Sequence, residues 1–275
     1  MTATIGFIGA GNMARSLLGG LLQRGHPAAS LRASDPDAGS RERVTALGVA
    51  AEDDNAALVA ACDAVVLAVK PQQLAGVLAG VAPALRRHRP LLVSIAAGVP
   101  VQTLLGGAGD DTLAVVRAMP NTPALLGAGA TGALANSACG ERERVLANTI
   151  LGAAGIVEWV EDESLLDVVT AVSGSGPAYF FLLMELVTSA GESLGLPPET
   201  ARRLCVQTAL GAARMADETG EPLAQLREQV TSPGGTTAAA LDAFEAAGIR
   251  DIVARAVTAA RDRGRALAAE SAGAR

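Results

Sequence analysis

The sequence predicts an α/β domain built on a doubly wound parallel sheet, followed by an all-α domain. Short apolar runs rich in β-branched residues alternate with helical patterns over residues 1–163. Residues 164–275 show helical periodicity interrupted by Gly and Pro, with no strand-like run. Because strands that are apolar on both faces must be covered on both, the alternating part indicates a parallel sheet between two layers of helices. We therefore predict two domains, 1–163 and 164–275.

The first strand covers residues 4–8, and a helix begins after it at residue 12. Further strands are predicted, in order, at 31–34, 64–69, 91–95, 113–119 and 155–160, with helical segments between most of them. The C-terminal helical segments run over 165–195, 199–220 and 248–271. In the first of these, residues 179–184 are apolar nearly all round, which favours burial in a helix bundle or a subunit interface.

Composition and charge narrow the class of protein. Half of the 275 residues are hydrophobic and the formal net charge is −6, which is typical of a mildly acidic globular protein. Nucleic-acid binding requires clustered cations and aromatic residues for stacking, but only 2% of the residues are aromatic, so no nucleic-acid partner is expected. The three cysteines lie far apart in no metal-binding spacing, which predicts free thiols in a reducing cytoplasm and no metal site.

No targeting or membrane segment is expected. The chain enters a strand pattern within its first residues, without a basic region or a cleavage site. The uncharged runs 91–109 and 118–140 approach the length of a membrane span, but Gly, Pro and Asn interrupt both. We therefore expect a cytoplasmic protein with no membrane partner.

A glycine-rich turn follows the first strand, where Gly9, Gly11 and Ala14 fit the pattern G-x-G-x-x-A. In this pattern the first glycine permits a tight turn, the second lets the backbone approach a pyrophosphate, and the small third residue allows close packing of helix on strand. Because the turn opens a helix, the phosphates would lie at that helix N-terminus. The sequence thus predicts a Rossmann-like dinucleotide site with contacts from Ile8, Gly9, Gly11, Asn12 and Met13.

The residues after the second strand bear on the choice of nucleotide. An acidic side chain here, such as Asp35, would accept hydrogen bonds from a ribose 2′-hydroxyl and would favour NAD. Alternatively, Asp35 starts the turn before Pro36, and Ser34 binds a 2′-phosphate whose charge is neutralised by Arg41 or Arg43. The residues alone leave both interpretations open.

Further loops fall at the carboxyl ends of predicted strands, where a cofactor lies in sheets of this kind. The loop after the third strand contributes Val69, Lys70 and Pro71, and the loop after the fourth contributes Ala96, Ala97 and Gly98, which let a nicotinamide ring approach the backbone. Asn121, held between two prolines, adds a polar group to the same rim. Lys70 is the single lysine among 22 basic residues, which suggests that its position requires an ammonium group.

The stretch VTSPGGTTAAAL, residues 230–241, places hydroxyl groups and a glycine pair directly before a helical pattern. Glycines let the backbone approach a ligand, and the N–H groups at a helix N-terminus bind anions. We therefore expect this loop to hold a small anionic group.

The motifs FIGAGNMA, AVKP, SIAAGV, RAMPNTPAL, SGSGPAYFF and VTSPGGTT, in this order and spacing, resemble pyrroline-5-carboxylate reductase. The resemblance covers about residues 4–268, nearly the whole chain. It implies NAD(P)H-dependent reduction of the cyclic imine Δ1-pyrroline-5-carboxylate to L-proline, the last step of proline biosynthesis. It also implies that the helical domain forms a homodimer, often assembled further as a decamer of five dimers.

The resemblance also assigns residues to roles. Ser34 meets the phosphate of NADP and Asn55 lies on the ribose side, so NADPH is the expected cofactor and NADH the alternative. Asp35 is a departure, since members of the family often lack it.

For the substrate, the resemblance assigns the carboxylate to Ser232, Gly234, Gly235 and Thr236. Thr237 lies against the imine and is the candidate catalytic residue, and Asn121 is a further candidate substrate contact. The chemistry agrees, because reduction of a ketone needs a strong positioned acid such as His or Lys, and residues 164–275 contain neither. A cyclic imine arrives protonated or takes its proton from a hydroxyl group or water, so catalysis is mostly orientation.

Three alternatives stay open. A β-hydroxyacid dehydrogenase shares the two-domain plan but normally places a lysine in the helical domain. A deazaflavin-dependent NADP reductase has a similar nucleotide domain but would not be expected to carry SPGGTT. A non-catalytic nucleotide-binding regulator would bind the cofactor without turning over pyrroline carboxylate.

Overall fold

The structure is a computed structural model that describes residues 2–273. Over these residues the chain forms one eight-stranded sheet with the order β3-β2-β1-β4-β5-β6-β7-β8. The strands are β1 Ile5–Ile8, β2 Leu31–Ser34, β3 Ala50–Glu52, β4 Ala64–Leu67, β5 Leu91–Ser94, β6 Val115–Met119, β7 Gly129–Ala135 and β8 Gly155–Trp159. The order reverses at β1, with β2 on one side and β4 on the other, which is the doubly wound topology that the sequence predicts.

Helices connect most of the strands and make up the chain after β8. They are α1 Asn12–Gln23, α2 Ala38–Thr45, α3 Asn55–Ala61, α4 Pro71–His88, α5 Val101–Ala108, α6 Glu141–Leu151, α7 Leu165–Val169, α8 Gly176–Ser193, α9 Pro198–Thr219, α10 Leu223–Gln229, α11 Thr236–Ala246 and α12 Ile249–Gly273. A π-helical turn, Thr170–Gly174, follows α7.

Neighbouring residues of β1 contribute side chains to two separate hydrophobic cores. Ile5 and Phe7 of β1 are fully buried in a core that includes side chains of α1 and α6. Ile8 is buried in a second core, which includes side chains of α3, α4 and α5. Because successive side chains of a strand point to opposite faces, both faces of the sheet are covered by helices. The strands are therefore apolar throughout, as the sequence pattern indicates.

The sequence does not predict β3 or β7. The residues of β7 are GATGALA, and Gly and Ala are depleted in strands, so no strand signal is visible. The small residues have a packing reason, since a Cβ on Gly132 would lie 2.6 Å from a Val169 methyl group. β7 pairs with β6 in the antiparallel sense, whereas the other neighbouring strands are parallel. The sheet is thus mostly, rather than wholly, parallel.

The described chain divides into two compact units. The first contains the whole sheet and runs to Ser175, together with α12 from Ala260 onward. The second is Gly176–Ala259, which consists of α8 to α11 and the beginning of α12. The boundary after residue 163 remains a prediction.

The second unit exposes a large apolar surface along α8 and α9. Phe180 and Phe181 are 67% and 64% exposed, and Leu186 and Leu210 are exposed as well. The residues at 179–184 that the sequence assigns to a bundle or an interface are thus mostly uncovered in the single chain. By length and composition alone, the helical run Leu165–Ser193 would suffice to cross a membrane.

Candidate active site

The glycine turn joins β1 to α1 and leaves the helix N-terminus open. Gly9 has φ +97°, and a Cβ there would lie 2.7 Å from the Ala68 carbonyl oxygen, so both the backbone conformation and the space require glycine. Gly11 is the N-cap of α1, and among the described residues a Cβ there would meet no atom within 4 Å. Free N–H groups at an unobstructed helix start fit a pyrophosphate.

The three other residues predicted for this turn occupy different surroundings. Ile8 is 1% exposed and its side chain packs in the second core, so it supports the turn from within the domain. Asn12 and Met13 form the first turn of α1, the first exposed and the second half-buried. Asn12 accepts a hydrogen bond from Arg15 at 2.5 Å, which brings a guanidinium group to the same helix end.

The end of β2 and the start of α3 meet through two predicted residues. The Ser34 hydroxyl, fully buried, donates to Asn55 Oδ1 at 2.6 Å. Asn55 is the first residue of α3 and is half-buried. The structure thus brings together two side chains that are 21 positions apart in the sequence, and the hydroxyl of Ser34 orients the amide of Asn55.

Asp35 points its carboxylate at the backbone. Oδ2 accepts from the N–H of Ala10 at 2.8 Å, and Oδ1 accepts from the N–H of Asp37 at 2.9 Å. The Arg41 guanidinium donates to the carbonyl oxygens of Asp35 and Pro36 at 2.7 and 2.9 Å. One acidic side chain therefore ties the glycine turn to the loop before α2, with a cation held against the same loop. No sequence pattern indicates these contacts.

The loops after β4 and β5 lie along the same edge of the sheet, because the carboxyl ends of parallel strands meet there. Lys70 is exposed at the N-cap of α4, between the half-buried residues Val69 and Pro71. In the next loop Ala96 is buried and Ala97 exposed. Gly98 has φ +74°, and a Cβ on it would lie 3.7 Å from the Cα of Ala268 in α12.

Asn121 follows β6 at this edge and is 9% exposed. Its Nδ2 donates to the Ser173 carbonyl oxygen at 3.0 Å, and its Oδ1 accepts from the N–H of Ala130 at 2.9 Å. Both ends of the amide thus hold the π-helical turn and β7 in place. A direct substrate contact by this residue remains a prediction.

In the second unit, the residues predicted to hold the carboxylate form a tight turn before α11. The Gly235 N–H donates to the Ser232 carbonyl oxygen at 3.0 Å, and Gly234 has φ +68°. Pro followed by Gly at the centre of a turn is the signature of type II, which needs positive φ at the second position. Gly235 is the N-cap, and Thr236 and Thr237 are the first two helical residues. The N–H groups of this first turn have no partner within the helix and can bind an anion.

Among residues 2–273 no three His, Cys, Asp or Glu side chains are grouped so that they could hold a metal ion. Burial raises the pKa of the Cys62 thiol to about 11 and raises that of Cys139 as well, so both thiols are protonated at neutral pH.

Two family models match the chain. Residues 163–267 match the model described as pyrroline-5-carboxylate reductase dimerisation. Residues 4–98 match the model of coenzyme F420-dependent NADP oxidoreductases. The second match covers only the nucleotide-binding part, whereas the first covers the turn before α11 and the apolar surface of α8 and α9.

Relatives match the chain over nearly its full length. It is 51% identical to the pyrroline-5-carboxylate reductase of Pseudomonas aeruginosa over 97% of each chain. It is 42% identical to the enzyme of Haemophilus influenzae over 94% of this chain and 95% of that one.

Solved structures agree with these relatives. A pyrroline-5-carboxylate reductase from Coxiella burnetii, 41% identical, superposes with a TM-score of 0.94 over 97% of this chain and 99% of that one. The Plasmodium falciparum pyrroline carboxylate reductase, solved with NADP bound, is 30% identical and superposes with a TM-score of 0.84 over 97% and 98%. A 3-hydroxyisobutyrate dehydrogenase from Mycobacterium tuberculosis, 19% identical with a TM-score of 0.54 over 98% and 95%, shares the fold alone. The glycine turn, the turn before α11 and these full-length similarities together establish that the chain belongs to the pyrroline-5-carboxylate reductase family.

Proposed function

We infer that the chain is an NAD(P)H-dependent oxidoreductase that reduces Δ1-pyrroline-5-carboxylate to L-proline, the last step of proline biosynthesis. The main support is that two turns occur in the same chain: an open glycine turn, and the Ser232–Gly235 turn at a helix N-terminus. This chain is 51% identical to a pyrroline-5-carboxylate reductase. The first turn fits a dinucleotide and the second fits a small carboxylate.

The first unit supplies the groups for the nucleotide. The N–H groups at the start of α1, left open by Gly11, bind the pyrophosphate. Lys70, exposed at the end of β4, provides a compact positive charge for a phosphate or ribose oxygen. The backbone of Ala96, Ala97 and Gly98 borders the nicotinamide ring, because these side chains are small enough to let it approach. When bound, NAD(P)H supplies the hydride.

The second unit supplies the groups for the substrate. The N–H groups at the start of α11 and the hydroxyl of Ser232 bind the carboxylate, with Gly234 and Gly235 allowing the close approach. The Thr237 hydroxyl, one position further along the helix, lies against the imine nitrogen. Since residues 164–275 contain no His or Lys, the imine arrives protonated or receives its proton from this hydroxyl or from water. Orientation of the imine carbon towards the hydride donor provides most of the rate enhancement.

The preferred nucleotide is NADPH, with NADH as a slower alternative. Asp35 supports this proposal, because both of its carboxylate oxygens already accept backbone hydrogen bonds and its charge is directed at the glycine turn. A carboxylate engaged in this way is poorly placed to accept from a ribose 2′-hydroxyl. Arg41, held at the carbonyls of Asp35 and Pro36, supplies positive charge close to Ser34 for a 2′-phosphate.

The functional form is a cytoplasmic homodimer, assembled further as a decamer of five dimers. The exposed apolar side chains of α8 and α9 support a dimer, since a surface of this kind is normally buried against a partner. The match of residues 163–267 to a dimerisation model supports the same surface. Sedimentation equilibrium checks the assembly, with a mass of ten times the 27.5 kDa chain expected for the decamer.

A spectrophotometric assay tests the proposed function. Loss of NADPH absorbance with Δ1-pyrroline-5-carboxylate, and formation of proline in equal amount, is the expected result. Turnover of 3-hydroxyisobutyrate with NADP+ instead would favour a β-hydroxyacid dehydrogenase, and nucleotide binding without turnover of either substrate would favour a regulator. The same assay with NADH measures the cofactor preference.

A further inference from the structure

An ion pair between a buried arginine and a half-buried glutamate lies next to the loop proposed to face the nicotinamide ring. The Arg117 guanidinium, whose side chain is 8% exposed, donates to Glu163 Oε1 at 2.8 Å. The same oxygen accepts from the backbone N–H of Val101 at 2.8 Å. Neither charged residue has a role in the site described above, although a guanidinium group as buried as that of Arg117 is costly to remove from water.

The three partners enclose the loop of residues 95–100 at both of its ends. Arg117 is the β6 residue paired with Ser94, the last residue of β5, so it lies beside the point where the loop begins. Val101 is the first residue of α5, where the loop ends. Glu163 therefore connects the end of the loop to the strand that flanks its beginning.

The loop is also held by the buried side chains of Ala96 and Val99 and by a hydrogen bond from the Ile95 N–H to the Leu67 carbonyl oxygen at 3.2 Å. Its side chains at positions 96–98 are methyl groups or hydrogen, so contacts to a ring would come from the backbone. A side chain can compensate for a small displacement by changing its rotamer, but a backbone group cannot. If the ends of the loop shift, the backbone that faces the ring therefore shifts with them. A shift of about 1 Å in a group that orients reactants reduces rates strongly.

We propose that Glu163 and Arg117 are positioning residues that hold the 95–100 loop where it orients the nicotinamide ring. The proposal rests on the proposed function, since it assumes that this loop faces the nicotinamide. It predicts a defect confined to the nicotinamide end of the nucleotide, whereas the adenosine and pyrophosphate contacts, made by other loops, stay intact.

Two ligands that differ only in the ring provide the test. NADP+ and 2′-phospho-ADP-ribose share every group except the nicotinamide, and calorimetry gives the dissociation constant of each for the full-length protein. Glu163→Gln keeps an acceptor for the Val101 N–H but removes the charge that Arg117 requires. We expect the dissociation constant of NADP+ to rise about tenfold, as for loss of one or two hydrogen bonds, with that of 2′-phospho-ADP-ribose unchanged. The kcat for imine reduction should fall, while the KM for the imine changes little.

A second variant is needed in case Glu163→Gln does not fold, because that change leaves Arg117 buried without its charged partner. Arg117→Met/Glu163→Gln removes both charges, and replacement of a buried pair by uncharged groups is often neutral for stability. It should show the same selective loss of NADP+ affinity. Asp110→Asn is the matched control, since Asp110 forms an ion pair with Arg89 before the amino ends of β5 and β6, away from the loop. Both ligands should bind this control as they bind the wild-type protein.

Failure of the proposed role of the ion pair and failure of the proposed function give different results in these binding measurements. Equal weakening of both ligands by the Glu163 variants, or a lower melting temperature with unchanged binding of both, would show that the pair only stabilises the fold. Wild-type protein that binds neither NADP+ nor NAD+ would instead contradict the proposed function. If NAD+ proves the tighter ligand, the pair NAD+ and ADP-ribose gives the same comparison.

Discussion

The Asp35 carboxylate accepts a hydrogen bond from the backbone N–H of Ala10 at 2.8 Å, and so joins the end of the second strand to the glycine turn. An acidic residue at this position reads the ribose in many NAD-binding proteins. Here the same carboxylate also accepts from the Asp37 N–H, so it supports the turn on which the pyrophosphate rests.

Asp35→Asn should therefore weaken both nucleotides alike. An Asn side chain has one acceptor oxygen for two backbone donors, so one of the two hydrogen bonds is lost and the turn is loosened. We expect the dissociation constants of NADPH and NADH to rise together, by about three- to tenfold. Asp53→Asn makes the same change of charge at an exposed position of the β3–α3 loop and serves as the control. Weaker binding of NADH alone would show that Asp35 reads the ribose.

Ser34→Ala should raise the KM of NADPH more than that of NADH. The change removes the hydroxyl that orients the Asn55 amide at 2.6 Å, next to the proposed 2′-phosphate position. Asn55→Ala should have a similar effect, and the double variant should cost little more than either single one, because both changes break one interaction. A simple sum of the two effects would indicate that the residues act independently.

Lys70→Arg should weaken the nucleotide although the charge is kept. The ammonium group is a compact donor on an exposed position at the start of α4, and a planar guanidinium places its charge differently. We expect the KM of NADPH to rise, and Lys70→Met to raise it further and to reduce its dependence on salt. Circular dichroism and melting temperature should stay as in the wild type. Unchanged kinetics in both variants would show that Lys70 is an ordinary surface residue with no role in nucleotide binding.

Thr237→Ala should lower kcat by about a hundredfold with the fold intact, because it removes the one hydroxyl assigned to the imine nitrogen. Thr237→Ser keeps that hydroxyl and should recover most of the activity. Thr231→Ala is the matched control, since the Thr231 hydroxyl donates to the carbonyl of Arg227 at the end of α10. If the control and Thr237→Ala lose activity equally, the effect is on the loop and not on the imine.

Cys62 should make the protein less stable at alkaline pH. Burial raises the pKa of its thiol in the folded protein to about 11 from an ordinary value of 9.0, so the unfolded chain loses the proton first. The contribution of this group to the free energy of unfolding is complete below pH 9 and falls as the pH rises from about 9 to about 11, by roughly 2–3 kcal/mol in all. Urea unfolding at pH 8 and pH 10.5 measures it, with Cys62→Ala lacking this component. Parallel losses in the two proteins would contradict the prediction.

The sequence by itself determined the doubly wound fold class, the helical C-terminal region, the glycine turn and the turn before α11. These features depend on local patterns: apolar periodicity selects strand or helix, and closely spaced glycines with Pro or hydroxyl residues select the turns. The motifs also contained enough information to identify the family, which the full-length relatives confirm.

Only the tertiary structure decided which partners those residues meet. It placed β7 between β6 and β8 despite its Gly and Ala content, turned Asp35 towards Ala10, and brought Glu163 to Arg117 and Val101. The hydrogen bonds of Asp35 with Ala10, of Arg117 with Glu163 and of Val101 with Glu163 join residues that are 25, 46 and 62 positions apart in the sequence. A local pattern records what a residue can donate or accept, whereas packing of the sheet determines which distant group it reaches.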